Sequence, residues 1–195
     1  MKVGILGSGK GSNCRAILQA IRDGKLQNVE AAVVISDVLD APILDIAREF
    51  GVPNAFLPPG HFRTRLEPAV EEQLVQMLQN EDVDLVVLAG FMRVLKAPML
   101  EAFAKRIINI HPSLLPKFPG LEAWQQALAA KESETGCTVH YVDEQIDHGD
   151  VLGQTRVPVL PNDTAETLHA RIQEAEHELY PRVLGELARK IDNRA

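Results

Sequence analysis

Only two cysteines, Cys14 and Cys137, occur in the 195 residues, and they stand far apart. They offer neither a disulfide framework nor a paired zinc motif, and their scarcity fits a reducing, cytoplasmic setting. No apolar run approaches the roughly 20 residues that cross a bilayer, so no membrane partner is expected. The opening Met1-Lys2-Val3-Gly4-Ile5-Leu6 breaks to Gly7 and Ser8 too early for a secretory leader. Basic residues are in deficit, 20 Lys and Arg against 27 Asp and Glu, which leaves a net charge of -7. Neutralising a nucleic-acid backbone needs a basic surface, so no nucleic-acid partner is expected. A small anionic ligand stays compatible, because it needs only a local cradle. The six histidines are scattered with no H-E-x-x-H spacing, and no metal is expected. Aromatic residues make up only 5 %, so Val, Ile, Leu and Ala must do most of the packing.

What is present is an alternation of short β-branched runs with helical patterns. That order predicts an α/β fold, an open, mostly parallel, twisted sheet with helices on both faces. Strands are expected at Val3–Leu6, Ala31–Ser36, Asn54–Leu57, Asp84–Ala89 and Ile107–His111, the last stopped by Pro112. Helices are expected through Arg15–Ile21, from Pro42 to Phe50 and from Leu66 to Leu78. The last third changes character. Thr138–Val142 and Val151–Val159 read as two strands with no helix between them, hence an antiparallel pair. A long helix follows from about Thr164 to Ile191, with Leu168, Ile172, Ala175, Leu179 and Val183 as its apolar stripe.

Gly7-Ser8-Gly9-Lys10-Gly11-Ser12-Asn13 links the first strand to the first helix. Glycines let a backbone approach an anion, and amides at a helix start attract phosphate. Two familiar loops fail here: Gly11 stands where a P-loop needs Ser or Thr, and the last glycine interval is wrong for a dinucleotide fingerprint. The bland alternative is a tight turn with Ser12 as N-cap.

Asn109 and His111 lie two apart on a strand, so alternation puts both on one face. Polar side chains at the end of a buried strand cost about 1–3 kcal/mol each when unpartnered. At the carboxyl edge of an open sheet, an amide and an imidazole can hold an oxyanion and move a proton. A histidine satisfied by loop carbonyls is the equal alternative. Pro112, Pro116 and Pro119 make the following loop stiff and non-helical. Asp147, in the turn Ile146-Asp147-His148-Gly149, could orient a histidine or simply close an Asx turn.

Asn109-x-His111-Pro112-Ser113-Leu114-Leu115-Pro116 resembles the hallmark of the folate-dependent formyltransferase family. Gly136–Val142 with Ile146–Gly149 is similar to that family's second signature, and Ala89–Leu95 to its folate-pocket segment. The resemblance covers essentially the whole chain, in order. It implies a single formyltransferase domain, 1–195, with a phosphate-binding half (1–100) and a catalytic, folate-binding half (101–195). It further implies transfer of a formyl group from 10-formyltetrahydrofolate to the amine of glycinamide ribonucleotide. Asn109, His111 and Asp147 would be catalytic. Gly11, Ser12 and Asn13 would hold the phosphate, and Gln173 and Glu176 the rest of the amine substrate, where a solvated helix face is the plain alternative. Arg65, Met92, Arg93, Val94 and Leu95 would contact folate, as would Asn109 and the loop Asp143, Glu144, Gln145, Ile146 and Asp147. Asp147 would raise the pKa of His111 through its charge. The chain departs from the family pattern at Trp124, and at His148 and Asp150, which flank Gly149. Rival readings are a hydrolase of 10-formyltetrahydrofolate and a nucleotide-binding α/β module without chemistry. Oligomeric state is not legible.

Overall fold

The computed structural model describes residues 1–192. In chain order the elements are β1 (Lys2–Leu6), α1 (Ser12–Arg22), β2 (Glu30–Ser36), α2 (Pro42–Glu49), β3 (Asn54–Phe56), α3 (Pro68–Asn80), β4 (Leu85–Leu88) and α4 (Ala97–Ala102). Then come β5 (Ile107–His111), α5 (Ala123–Ala129), β6 (Glu134–Tyr141), β7 (Val151–Pro158) and α6 (Ala165–Asp192). The strands form one sheet in the order β3-β2-β1-β4-β5-β6-β7. Pairing is parallel from β3 through β5 and antiparallel from β5 through β7; the β6–β7 pair is antiparallel as expected, and the β5–β6 pair is antiparallel too.

Strand alternation divides the core into two layers. Val3, Ile5, Leu85, Val87, Ile108 and Ile110 pack with α1, α2 and α6; Leu6, Val86, Leu88 and Ile107 pack with α3 and α4. Asn109 and His111 continue the second series, at the carboxyl end of β5. The α6 stripe lands as its spacing predicts: Leu168, Ile172, Leu179 and Val183 are buried in the first layer. Tyr180 fixes that helix to the sheet, its hydroxyl donating to Leu88 O (2.9 Å) and Ile108 O (3.1 Å). Among the described residues no helix is long and apolar enough to cross a membrane.

Several local expectations are corrected. The cap of α1 is Gly11, in the left-handed region (φ 72°), with no side-chain cap; Ser12 is already helical. Two short helices, α4 and α5, escaped the pattern because six and seven residues carry too little periodicity. β6 begins at Glu134 rather than Thr138, since Glu134–Cys137 ladder onto Thr155–Pro158. α3 starts at Pro68 and runs to Asn80, because proline is well suited to a first helical position.

Candidate active site

The antiparallel register sets Asn109 opposite His140 and His111 opposite Thr138. Asp147 reaches the same spot from the turn before β7. Its backbone is left-handed (φ 56°), a conformation aspartate tolerates, and Gly149 beside it has no room for a side chain: a Cβ would lie 1.8 Å from Tyr141 O. His111 Nδ1 lies 3.3 Å from Asp147 Oδ2, His140 Nε2 3.5 Å from Asp147 Oδ1, and Asn109 Nδ2 3.4 Å from His140 Nε2. The Gly120 N–H donates to Asp147 Oδ2 at 2.8 Å. The three sequence-predicted catalytic residues therefore meet, and His140 joins them.

His111 Nε2 lies 2.8 Å from Phe118 O, and because a carbonyl only accepts, Nε2 carries the proton. A neutral ring then turns a bare Nδ1 toward the Asp147 carboxylate. The contact becomes attractive once a proton arrives, so the pair is arranged to take one up. The expected rise in the His111 pKa is corrected. Burial pulls it below the ordinary 6.5 and His140 adds to the fall; Asp147 and the Phe118 carbonyl pull upward but do not prevail. For Asp147, burial favours the neutral form, yet hydrogen bonds from His140 and Gly120 and the nearby histidine charges hold its carboxyl below the ordinary range. The proline-rich loop is stapled down: the Thr138 hydroxyl donates to Ser113 O (2.6 Å) and accepts from Leu115 N (3.1 Å), and Gln154 Nε2 donates to Leu115 O (2.9 Å).

The glycine loop lines a cavity of about 320 Å³ with Ser8–Asn13, Met92, Trp124, His169, Gln173 and Glu176 among its walls. It opens beside Ile110 and Pro112, on the opposite face of β5 from Asn109 and His111. Gly11, Ser12, Asn13, Gln173 and Glu176 are thus brought together. A solvated face for Glu176 is excluded, since it is 6 % exposed. Burial lifts its carboxyl to about 7, against a lowering hydrogen bond from Asn13 Nδ2 (2.8 Å). Asn13 Oδ1, also buried, finds no donor. Gly11 faces away from the cavity: a Cβ there would strike Ile43 of α2 at 2.8 Å, whereas a Cβ on Gly9 meets nothing within 4 Å.

The residues matched to folate gather on the α3/α4 side. Arg65 and Val94 form an isolated parallel bridge, Val94 N donates to Thr64 O (2.8 Å), and Leu95 is buried in that layer. The Arg65 guanidinium lies over the Phe62 ring, 4.2 Å from its centroid. Arg93 is otherwise engaged: Nε meets Asp37 Oδ2 at 2.6 Å, and Nη1 donates to Phe62 O and Arg63 O. Ser8 ties this cluster to the glycine loop, donating to Asp37 and accepting from Met92 N. Asp143, Glu144, Gln145 and Ile146 are exposed on the turn leading to Asp147.

A polar patch at the end of a parallel strand, a phosphate-type loop at a helix start and an adjoining antiparallel hairpin can be compared with known proteins. Residues 1–184 match the family model described as formyl transferase. This chain belongs to the formyl transferase family. It is 40 % identical over 184 residues to phosphoribosylglycinamide formyltransferase of Escherichia coli, spanning 94 % of this chain and 85 % of that protein. The corresponding protein of Bacillus subtilis is 37 % identical over 186 residues, 95 % of this chain and 94 % of that one. A trifunctional purine biosynthetic protein of Drosophila pseudoobscura pseudoobscura is 46 % identical over 189 residues; the match takes in 96 % of this chain but only 14 % of that longer protein. Among solved structures, glycinamide ribonucleotide transformylase 1 from Symbiobacterium toebii superposes with a TM-score of 0.92 at 46 % identity, covering 97 % of this chain and 88 % of that one. This family membership accords with the open mostly parallel sheet and its antiparallel end.

Three site features were not found from sequence. His140 could have been, since a histidine amid the apolar alternation of β6 needs a partner on β5. Asp37 and the Trp124–His169 stack come together only through the fold.

Proposed function

We propose that the protein transfers a formyl group from 10-formyltetrahydrofolate to the amine of glycinamide ribonucleotide in de novo purine biosynthesis. It acts as one cytoplasmic formyltransferase domain on small-molecule substrates. The observation that carries this reading is that the carboxyl end of β5 borders a cavity on one face and bears a polar side-chain cluster on the other, so that groups held on the two sides can meet over the end of the strand. The cavity with the anion cradle and Glu176 lies on one face, and Asn109, His111 and Asp147 lie on the other.

The phosphate sits against the backbone of Gly11, Ser12 and Asn13, where amides at the start of α1 favour an anion. Gln173 and Glu176 hold the ribose and amine portion. Arg65, Met92, Arg93, Val94, Leu95 and the 143–147 turn border the folate, Arg93 through its backbone because its guanidinium is already bonded. Attack of the amine on the formyl carbon forms the new C–N bond, and the electron pair moves to the formyl oxygen. Asn109 Nδ2 and the His111 N–H donate to that oxygen; one such donor is worth about 2.7–4 kcal/mol. The formyl oxygen takes the hydrogen bond that Phe118 O accepts in its absence. Asp147 favours the form of His111 that has taken a second proton from solvent at Nδ1, and anchors a water that carries the amine proton to the departing folate nitrogen. Collapse then breaks the bond to that nitrogen.

The test is a spectrophotometric assay with glycinamide ribonucleotide and 10-formyltetrahydrofolate. Formylated ribonucleotide formed in step with loss of the folate's formyl group is expected. Equal loss without the amine substrate would mark a hydrolase, and nucleotide binding without folate binding a non-catalytic module. Either outcome overturns the proposal.

A further inference from the structure

Trp124 of α5 and His169 of α6 stack face to face, with ring centroids 3.8 Å apart and planes within 3°. Both rings wall the cavity that contains Ser8–Asn13. Trp124 is anchored from behind by the first core layer. The stack therefore holds an imidazole, one face covered by the indole, beside a space lined by an anion-type loop. Two neutral rings gain little from a flat sandwich, because their quadrupoles favour offset or edge-on packing. An imidazolium over an indole face gains a cation–π attraction.

We propose that His169 is a phosphate-recognition residue of the amine-substrate site, neutral when the cavity is empty and protonated when it holds the phosphate. This rests on the function proposed above. The charged or titratable groups around it are few. Burial disfavours the charged imidazole and Lys10 on the glycine loop repels a second positive charge, so the free imidazole lies below its ordinary value. Glu166 stands one turn earlier on α6 and Glu176 two turns later; α5 offers Glu122 at its start and otherwise the uncharged Trp124, Gln125 and Gln126. A phosphate dianion in the loop reverses the balance. It offsets Lys10 and adds a negative partner, while Trp124 stabilises the cation from behind. Binding then brings a second positive donor to the phosphate beyond the backbone amides, and the proton comes from solvent.

The decisive measurement is NMR titration of the His169 ring proton in the intact protein, free, with inorganic phosphate and with glycinamide ribonucleotide. The His169 pKa is expected to rise by a pH unit or more with either phosphate-bearing probe and to stay low with glycinamide riboside, which lacks the phosphate. An unmoved value with the ribonucleotide overturns the inference. Kinetics supply an independent reading. His169→Gln should raise KM for the ribonucleotide about tenfold at pH 6 and much less at pH 8.5, where the wild-type imidazole is harder to protonate, since a lost charged donor is worth about one such factor. KM for the folate should hold. Trp124→Phe keeps a ring face and should retain the pH dependence; Trp124→Ala should reduce it. A KM ratio independent of pH overturns the proposal even if product forms normally. Absence of any formyl transfer by the wild type would instead refute the function on which it rests.

Discussion

Replacing Glu176 with Gln should make the ligand-free protein more stable near neutral pH. Glu176 is buried and its carboxyl is lifted from the ordinary 4.5 to about 7. For a carboxyl raised by folding, the sign is unusual. Below about pH 4.5 both folded and unfolded chains hold the proton, and Glu176 contributes no penalty. Between 4.5 and 7 the unfolded chain releases its proton while the folded one keeps it, so stability falls as pH rises; above 7 the loss levels off. At about 1.36 kcal/mol per pH unit, that interval amounts to about 3 kcal/mol. Gln has no such titration, can still accept from Asn13 Nδ2, and brings an amide donor to a pocket in which Asn13 Oδ1 has none. The stability advantage of Glu176→Gln should therefore grow by about 3 kcal/mol from pH 4.5 to 8, roughly 6–12 °C in Tm for a chain of this size. Urea unfolding of both proteins at half-unit pH steps measures it. KM for the amine substrate should rise at the same time. A stability difference that stays flat across this range would refute the burial argument, whatever the kinetics show.

Asp147→Asn removes the pull that partly counters burial at His111, so the His111 pKa should fall further, with the rate dropping about 100- to 10,000-fold; NMR and pH–rate profiles check both. Asn109→Ala should lower the rate by about 100- to 1,000-fold without moving the profile, since an amide does not titrate. Gly9→Val should raise KM for the ribonucleotide with little change in Tm, because its Cβ enters open space. Gly11→Val should lower Tm as well, because its Cβ strikes Ile43 and its φ is positive; equal melting of the two variants would refute the distinction. Arg93→Met leaves the buried Asp37 carboxylate with the Ser8 hydroxyl but without its charge partner and should cost roughly 3–5 kcal/mol, read by urea unfolding.

The long apolar elements were legible because periodicity and burial agree: β4, β5 and the α6 stripe lie where their patterns put them. The meeting of Asn109, His111 and Asp147 was legible because Asn109 and His111 share a strand face and carry a family motif with Asp147. The burial of Glu176 was not legible, because a carboxylate on a helix normally faces water, and only the approach of α1 with Asn13 encloses it. The direction of the His111 pKa was missed for a related reason. A charge neighbour can be guessed from sequence, whereas the loop that seals the imidazole from solvent cannot. The Arg93 guanidinium was free in the sequence and occupied in the fold, since Asp37 approaches from the bend just after β2, more than fifty residues earlier.

The register of β5 against β6 bears on how this protein tolerates insertion and deletion. Asn109 faces His140 because ladder hydrogen bonds set the two strands side by side, not because residues 112–133 have a particular length. Extra residues placed at the exposed Ala130–Lys131 turn would lengthen the connection and leave that alignment intact. Removing Val139 alone would be a different event. Strand side chains alternate, so a one-residue slip sends His140 to the opposite face and breaks the pairing of β6 with both neighbours. Length can therefore drift in the connection, while within the hairpin itself the chemistry is counted residue by residue.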